Sequence, residues 1–258
     1  MPVPLLTIDL GNSSAKLRLW SAAPGRRAEC LARRDEVGEL RSELATWLAL
    51  HHPAHAALSS VASRERSAEL RALVEAIVDV HVGPPSSLEN RCRSPERVGE
   101  DRLFAALGAA RLLGRSCIVV DAGTALTVDA VEVAAERASF LGGAIAPGPT
   151  LLSDALALGT ARLPRVEPRP GAHALGTITE DALRAGIGVG FRGAARALVE
   201  GVAHEARLAG APVVLTGGAR AFLLEPQPFV DGELVVEDEL VHLGMLAELA
   251  STAGGSAR

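Results

Sequence analysis

The chain has 258 residues, 48% of them apolar and 22% charged, and a formal net charge of −5. That length can bury a substantial core, while the acidic balance argues against nucleic acid or an anionic membrane as the main partner. With no Tyr, five Phe and two Trp, the core must be built from Ala, Leu and Val, and an aromatic platform for bases is not expected. From the N-terminus, residues 3–20 read as two short apolar strands joined by the small polar turn Gly11–Ser14. Pro24-Gly25 then breaks the pattern. Leu40, Leu44, Trp47 and Leu48 recur at helical spacing within 38–50, and Leu70, Leu73, Val74 and Ile77 do so within 67–78. Between them "HAALSSVAS" (55–63) is a strand with a polar exit, and "DVHVG" (79–83) is a second strand closed by Pro84-Pro85.

Residues 88–100 are polar and irregular, and 101–114 is helical. A new strand–turn–strand unit, "CIVVDAGTALTVDAV" (117–131), repeats the grammar of the first. A strand, a Gly/Pro loop and a helix follow over 140–156, then a proline-rich connector over 162–173. A long helical region over 179–208 carries Gly186, Gly188, Gly190 and Gly193, which suit close packing. "PVVLTGGARAFLL" (212–224) reads as strand, Gly-Gly turn and helix, and 240–250 as a last helix whose N-terminus is served by the acidic "VEDEL". Strands alternating with helices indicate α/β. The two related hairpins suggest a duplicated architecture, with lobes at 1–114 and 115–250 and a disordered tail at 251–258.

Cys30, Cys92 and Cys117 have no CxxC spacing and read as buried or incidental thiols of a reducing compartment. His51, His52 and His55 lie at a helix end without Cys or Glu companions and read as surface histidines. No basic-then-apolar leader and no run near the ~18 apolar residues of a span is present, so a cytoplasmic protein is expected.

A turn rich in Gly, Ser, Thr and Asn exposes several N–H groups and hydroxyls on one concave side, a nest for anionic oxygens. A carboxylate at the end of the preceding strand would repel phosphate unless a cation lies between them. Asp9 before Gly11, Asn12 and Ser13, and Asp121 before Gly123 and Thr124, therefore fit a Mg²⁺–nucleotide better than free phosphate. Lys16 adds a positive charge for the same oxygens. One Asp-Gly hairpin is usually only a turn. Two of them, followed by a strand and the Gly-Gly turn at 216–218, match the two phosphate loops and the adenosine loop of an actin-like phosphotransferase. Neither GxxxxGK[ST] nor a helix-opening GxGxxG is present. Transfer to an alcohol also needs a carboxylate to take the proton. Asp101, after Gly99 and before Arg102, is the candidate, although Asp at a helix start is also an everyday cap.

"SLENRCRSPERVGEDRLFAALGAA" resembles the G-x-D-R segment of type III pantothenate kinases, with its upstream N-R-x-x-x-P-E. "DLGNSSAK", "SSVAS", "DAGTALTVDAV", "LGGAIAPG", "GTARLP" and "LTGGA" are similar to that family's other motifs, in order, across about residues 5–248. The resemblance implies a homodimeric kinase of the actin-like (ribonuclease H-like, ASKHA) superfamily with two mixed sheets flanked by helices. It would phosphorylate pantothenate with ATP and Mg²⁺ in coenzyme A synthesis. By motif match, Asp101 would be the base and Asp9 would orient Mg²⁺ through water. Gly11, Asn12, Ser13, Lys16, Gly123 and Thr124 would serve the ATP phosphates, and Gly217 and Gly218 the adenine side. Asp121, with Thr124 nearby, would hold the monovalent cation, K⁺ or NH₄⁺. Gly99 and Arg102 would meet pantothenate, the latter by its carboxylate, and Thr179 would reach it from the partner subunit.

Three positions depart from the pattern. Cys92 replaces a substrate-side Tyr, Ile178 replaces a polar residue before Thr179, and Glu100 replaces a small residue, a change that could raise the pKa of Asp101 by charge repulsion. Another kinase or a polyphosphate phosphatase of the same fold, and a regulatory factor that has lost catalysis, are the rival readings.

Overall fold

The computed structural model of the chain describes residues 4–11, 14–21, 28–36, 44–135, 137–171 and 173–255. The expected break at Pro24-Gly25, the start of the first helix with Leu40, and residues 256–258 of the expected tail lie outside them. In chain order the elements are β1 (Leu5–Leu10), β2 (Ala15–Trp20), β3 (Cys30–Glu36), α1 (Leu44–His51), β4 (His55–Ser60), α2 (Arg64–Glu75), β5 (Asp79–Val82), β6 (Leu88–Asn90) and α3 (Glu100–Leu113). There follow β7 (Cys117–Ala122), β8 (Ala125–Ala134), β9 (Arg137–Pro147), α4 (Pro149–Gly159), α5 (Thr179–Glu205), β10 (Val213–Thr216), α6 (Ala221–Leu224), β11 (Leu234–Val236) and α7 (Leu240–Gly255).

Two compact units result, one of Met1–Leu112 with Leu240–Arg258 and one of Leu113–Glu239. This corrects two expectations. Leu240–Arg258 belongs with the first unit rather than the second lobe, and residues 251–255 continue α7 instead of forming a disordered tail.

In the first unit the strands run β3-β2-β1-β4-β5. β1–β2 and β2–β3 pair antiparallel, whereas β1–β4 and β4–β5 pair parallel. One face is apolar, because alternation puts Leu6, Ile8 and Leu10 with Ala15, Leu17, Ala56 and Leu58. Leu48 of α1 and Leu70 and Val74 of α2 close that core. The opposite face is more polar. There Trp20 Nε1 donates to Thr7 Oγ1 at 2.8 Å. Thr7 Oγ1 lies 2.8 Å from His242 Nδ1 of α7 and, being the acceptor from Trp20, is placed to donate its own proton onward. α7 also crosses α3 so closely that a methyl on Gly108 would meet Leu240 O, and one on Gly244 would meet Phe104 O.

α7 is fastened further by Glu248, which is fully buried. Its Oε1 accepts from Ser86 N at 2.9 Å and from Ser86 Oγ, and its Oε2 from Ser87 N at 3.1 Å and Ser87 Oγ at 2.6 Å. Burial alone would raise its pKa, but the hydrogen bonds outweigh it and hold the carboxyl below 4.5. A depressed folded pKa gives stability that is present above the unfolded value and lost as pH falls through the folded one. Glu248→Gln should therefore lose about 2–3 kcal/mol at neutral pH, since an amide mismatches one of the two Ser pairs. Urea unfolding should show the gap to the parent closing on the acid side of 4.5.

The second unit repeats the plan with β11-β10-β7-β8-β9. β7–β8 and β8–β9 are antiparallel, and β10 joins β7 and β11 in parallel. Strand for strand this is the order of the first unit, which bears out the expected duplication. Ile118, Val120, Leu126, Val128 and Leu215 pack with Phe191, Ala195 and Val199 of α5 and with Leu223 and Phe229. No helix among the described residues is long and apolar enough to cross a membrane.

Candidate active site

In the first hairpin Asp9 and Lys16 are register partners. Cross-strand partners share a face, and Lys16 Nζ stands 3.8 Å from Asp9 Oδ2, with the lysine side chain 43% exposed. Asp9 is only 15% exposed, but at 3.8 Å with so exposed a lysine the pair is weak, which leaves Lys16 open to competition from anionic oxygens. The turn is closed by Gly11 N donating to Ser14 O at 2.9 Å. Asn12 and Ser13 lie outside the described residues.

β4 carries this geometry to the candidate base. Asp9 pairs in register with Ser59, and Val61 N donates to Leu10 O at 3.1 Å just beyond the strand. Ser60 N donates to Glu100 Oε2 at 3.1 Å. A methyl on Gly99 would lie 2.6 Å from Asp101 Oδ1 and 3.4 Å from Val61 Cγ1, so a larger residue there would push on the Asp101 carboxylate. Asp101 is the second residue of α3 rather than its cap, and its Oδ1 accepts from Arg102 N at 2.8 Å, serving an N–H of the first turn.

Burial raises the pKa of Asp101 above 3.8, countered in part by the Arg102 N–H and then by the Arg102 charge. Repulsion from Glu100, the expected cause, is not among these. Glu100 is itself raised, first by burial and to a lesser degree by Asp101. Upstream, Asn90 Oδ1 accepts from Cys92 N at 3.1 Å while its Nδ2 donates to Pro95 O at 3.2 Å. This staple gives the N-R-x-x-x-P word a physical reason and sets the half-buried Cys92 thiol in the turn.

In the second unit three loops meet at the C-terminal ends of the parallel strands β7 and β10, where open α/β sheets take ligands. Gly123 N donates to Ala125 O at 2.9 Å, Gly148 N to Thr124 O at 3.0 Å and Ala219 N to Ala122 O at 2.7 Å. Asp121 and Thr216 are register partners. Gly217, at φ +96°, brings its α-carbon against Asp121 Oδ1, and Gly218 faces open space. Arg220 braces the loop, with Nη1 donating to Gly217 O at 3.1 Å and Nη2 to Asp238 Oδ2 at 2.9 Å.

Asp9, Lys16, Gly99 and Asp101 thus belong to one unit, and Asp121, Gly123, Thr124 and Gly217 to the other. Thr179 is the exposed first residue of α5, behind an Ile178 that makes no side-chain cap. Reading the sequence assigned no role to Ser60, Gly148 or Arg220, and Glu100 read only as a charged neighbour of Asp101. For Gly148 the Pro-Gly-Pro run before α4 was the available signal. Among the described residues no group of three or more His, Cys, Asp or Glu side chains is placed to hold a metal ion.

The profile of the type III pantothenate kinase family matches residues 5–201. A type III pantothenate kinase of Thermus thermophilus is 36% identical over 260 residues, covering 94% of this chain and 97% of its own. One from Rubrobacter xylanophilus is 36% identical over 231 residues, covering 83% and 86%. The crystal structure of a glucokinase from an Antarctic psychrotroph superposes with a TM-score of 0.53 at 14% identity, covering 96% of this chain and 99% of that one, a likeness of fold alone. With two mixed sheets of the same strand order, the fold is that of the actin-like ATPases and sugar kinases, and the chain belongs to the type III pantothenate kinase family.

Proposed function

We infer that the chain transfers the terminal phosphoryl group of ATP to the hydroxyl of pantothenate, giving 4′-phosphopantothenate. The observation that carries the reading is the bonded path from Asp9 through β1 and β4 to Asp101. It links Asp9, read as the carboxylate on the Mg²⁺ side, to Asp101, whose pKa burial raises, within one compact unit. In this reading Asp101 accepts the proton of the acceptor hydroxyl, and Arg102 takes the substrate carboxylate. Lys16 and the turn 11–14 hold ATP oxygens in the first unit, as Gly123 and Thr124 do in the second, with Gly217 and Gly218 on the adenine side.

The donors suit the ions. Asp9 offers a lone carboxylate, which fits Mg²⁺, an ion that keeps waters and binds mainly through substrate phosphates. Bound there, Mg²⁺ would neutralise developing phosphate charge. Asp121 and Thr124 supply only oxygen donors, which suit a monovalent cation such as K⁺ or NH₄⁺.

A homodimer is part of the same reading. Gly186, Gly190 and Gly193 lie on the exposed side of α5 and face open space, while Gly188 is buried within the chain. Val189 on that side is 46% exposed. A second copy laid along α5 would find close approach there, with Thr179 at the helix start.

The test is ATP turnover by the full chain with and without pantothenate, with Mg²⁺ and with K⁺ or NH₄⁺ exchanged for Na⁺, alongside sedimentation. Turnover should depend on pantothenate and on the monovalent ion, and the mass should be that of two chains. A folded protein with no pantothenate-dependent turnover would remove the reading in favour of another acceptor or a non-catalytic factor.

A further inference from the structure

We propose that Glu100 is the positioning residue for Asp101, tying the first turn of α3 to the end of β4. β5 pairs with β4 only as far as Leu58–Val82. Val61 N is turned toward β1, where it meets Leu10 O. In a parallel ladder successive N–H groups point to alternate sides, so Ser60 N points toward the β5 side, beyond the reach of that strand. Glu100 Oε2, at 3.1 Å, supplies the acceptor that β5 does not. The same turn passes beside Val61 at Gly99, where an added methyl would meet the Asp101 carboxylate. Because Asp9 is in register with Ser59, a short path of backbone pairing and one side-chain bond joins the two acidic groups. Asp101 and His81 of β5 are the titratable groups whose charges act on Glu100.

A small residue at position 100 would leave this turn held by packing alone. Catalysis by positioning is sensitive to displacement, about 100-fold for ~1 Å. The inference rests on Asp101 being the base, and the test separates the two. Steady-state kinetics should be run on Glu100→Ala, Glu100→Gln, Glu100→Asp and Asp101→Asn, with melting temperatures.

Glutamine keeps an acceptor oxygen at the right length without charge. Aspartate keeps the charge one methylene short. Glu100→Ala and Glu100→Asp should each lose about tenfold or more in kcat with KM for ATP within about twofold, and Glu100→Gln should stay within about threefold of the parent. A Gln variant as impaired as Ala, an Asp variant as active as the parent, or a silent Ala variant would overturn the tether. If Glu100→Ala does not fold, the Gln–Asp contrast decides by itself. An inactive Asp101→Asn beside a silent Glu100 series overturns only this inference, whereas an active Asp101→Asn overturns the base assignment and the inference with it.

Discussion

Asp101→Asn should lower kcat for pantothenate-dependent turnover by roughly 100- to 10,000-fold, the span typical of a removed general base, without loss of stability. Asparagine keeps the Oδ1 acceptor that Arg102 N uses, so the helix start is preserved. What it removes is a carboxylate that burial disfavours in its charged form. An acid whose folded pKa is raised binds its proton more tightly folded than unfolded. Ionising it as pH rises through that window therefore weakens the fold. Once ionised, the parent carries that strain and the neutral variant does not, so the variant should melt at the same temperature or slightly higher.

Activity follows the opposite sense. The base works only when ionised, so kcat of the parent should fall as pH drops through a value above 3.8. The residual rate of the variant should lack that limb. The assay is kcat against pH with melting curves in parallel. A folded variant that keeps more than about a tenth of the parent kcat at neutral pH would show that another group takes the proton.

The two hairpins were legible because their grammar is local. An apolar run, an Asp, a Gly-containing turn and a second run specify a β-hairpin with a polar mouth wherever they occur, and Asp9–Lys16 and Asp121–Thr127 pair accordingly. β3 was not legible, because an edge strand can be charged and "CLARRDE" spends Arg33, Arg34 and Asp35 on that edge. β11 is three residues long, too short for any period to register.

The allegiance of α7 could not be read at all. Nothing in residues 240–255 names the sheet they cover. The answer lies in Thr7 with His242 and in Ser86 and Ser87 with Glu248, contacts between segments far apart along the chain. The same holds at the candidate site. Asp101 was visible as a helix-opening carboxylate, whereas Glu100 read only as a like-charged neighbour, because its partner Ser60 N belongs to a strand forty residues earlier. Adjacent charges in a sequence suggest repulsion. Their geometry made one a candidate base and the other its anchor.

Gly217→Ala should destabilise the chain by about 2–3 kcal/mol and weaken ATP binding by tenfold or more, while Gly218→Ala should leave stability within about 0.5 kcal/mol. The two glycines stand side by side in one motif and differ in what surrounds them. Gly217 has φ +96°, a conformation that costs an L-residue about 1–2 kcal/mol. An added methyl would also collide with Asp121 Oδ1 and Ala122 O. Relief requires either the Asp121 carboxylate to swing or the loop after β10 to retreat. Retreat breaks the 2.7 Å bond from Ala219 N to Ala122 O and disturbs the Arg220 brace on Gly217 O. In each case the hairpin of β7 and β8 loses its shape, which ties the loss of stability to the expected loss of binding.

Gly218 has a backbone that other residues tolerate and no atom within 4 Å of the added methyl. Alanine there can impair binding only by meeting the nucleotide itself. Titration calorimetry with ATP beside thermal unfolding resolves the pair. An intact, stable Gly218→Ala with weakened binding would place the adenine side of ATP against that residue. Parent-like stability and binding in Gly217→Ala would mean that the loop does not hold Asp121.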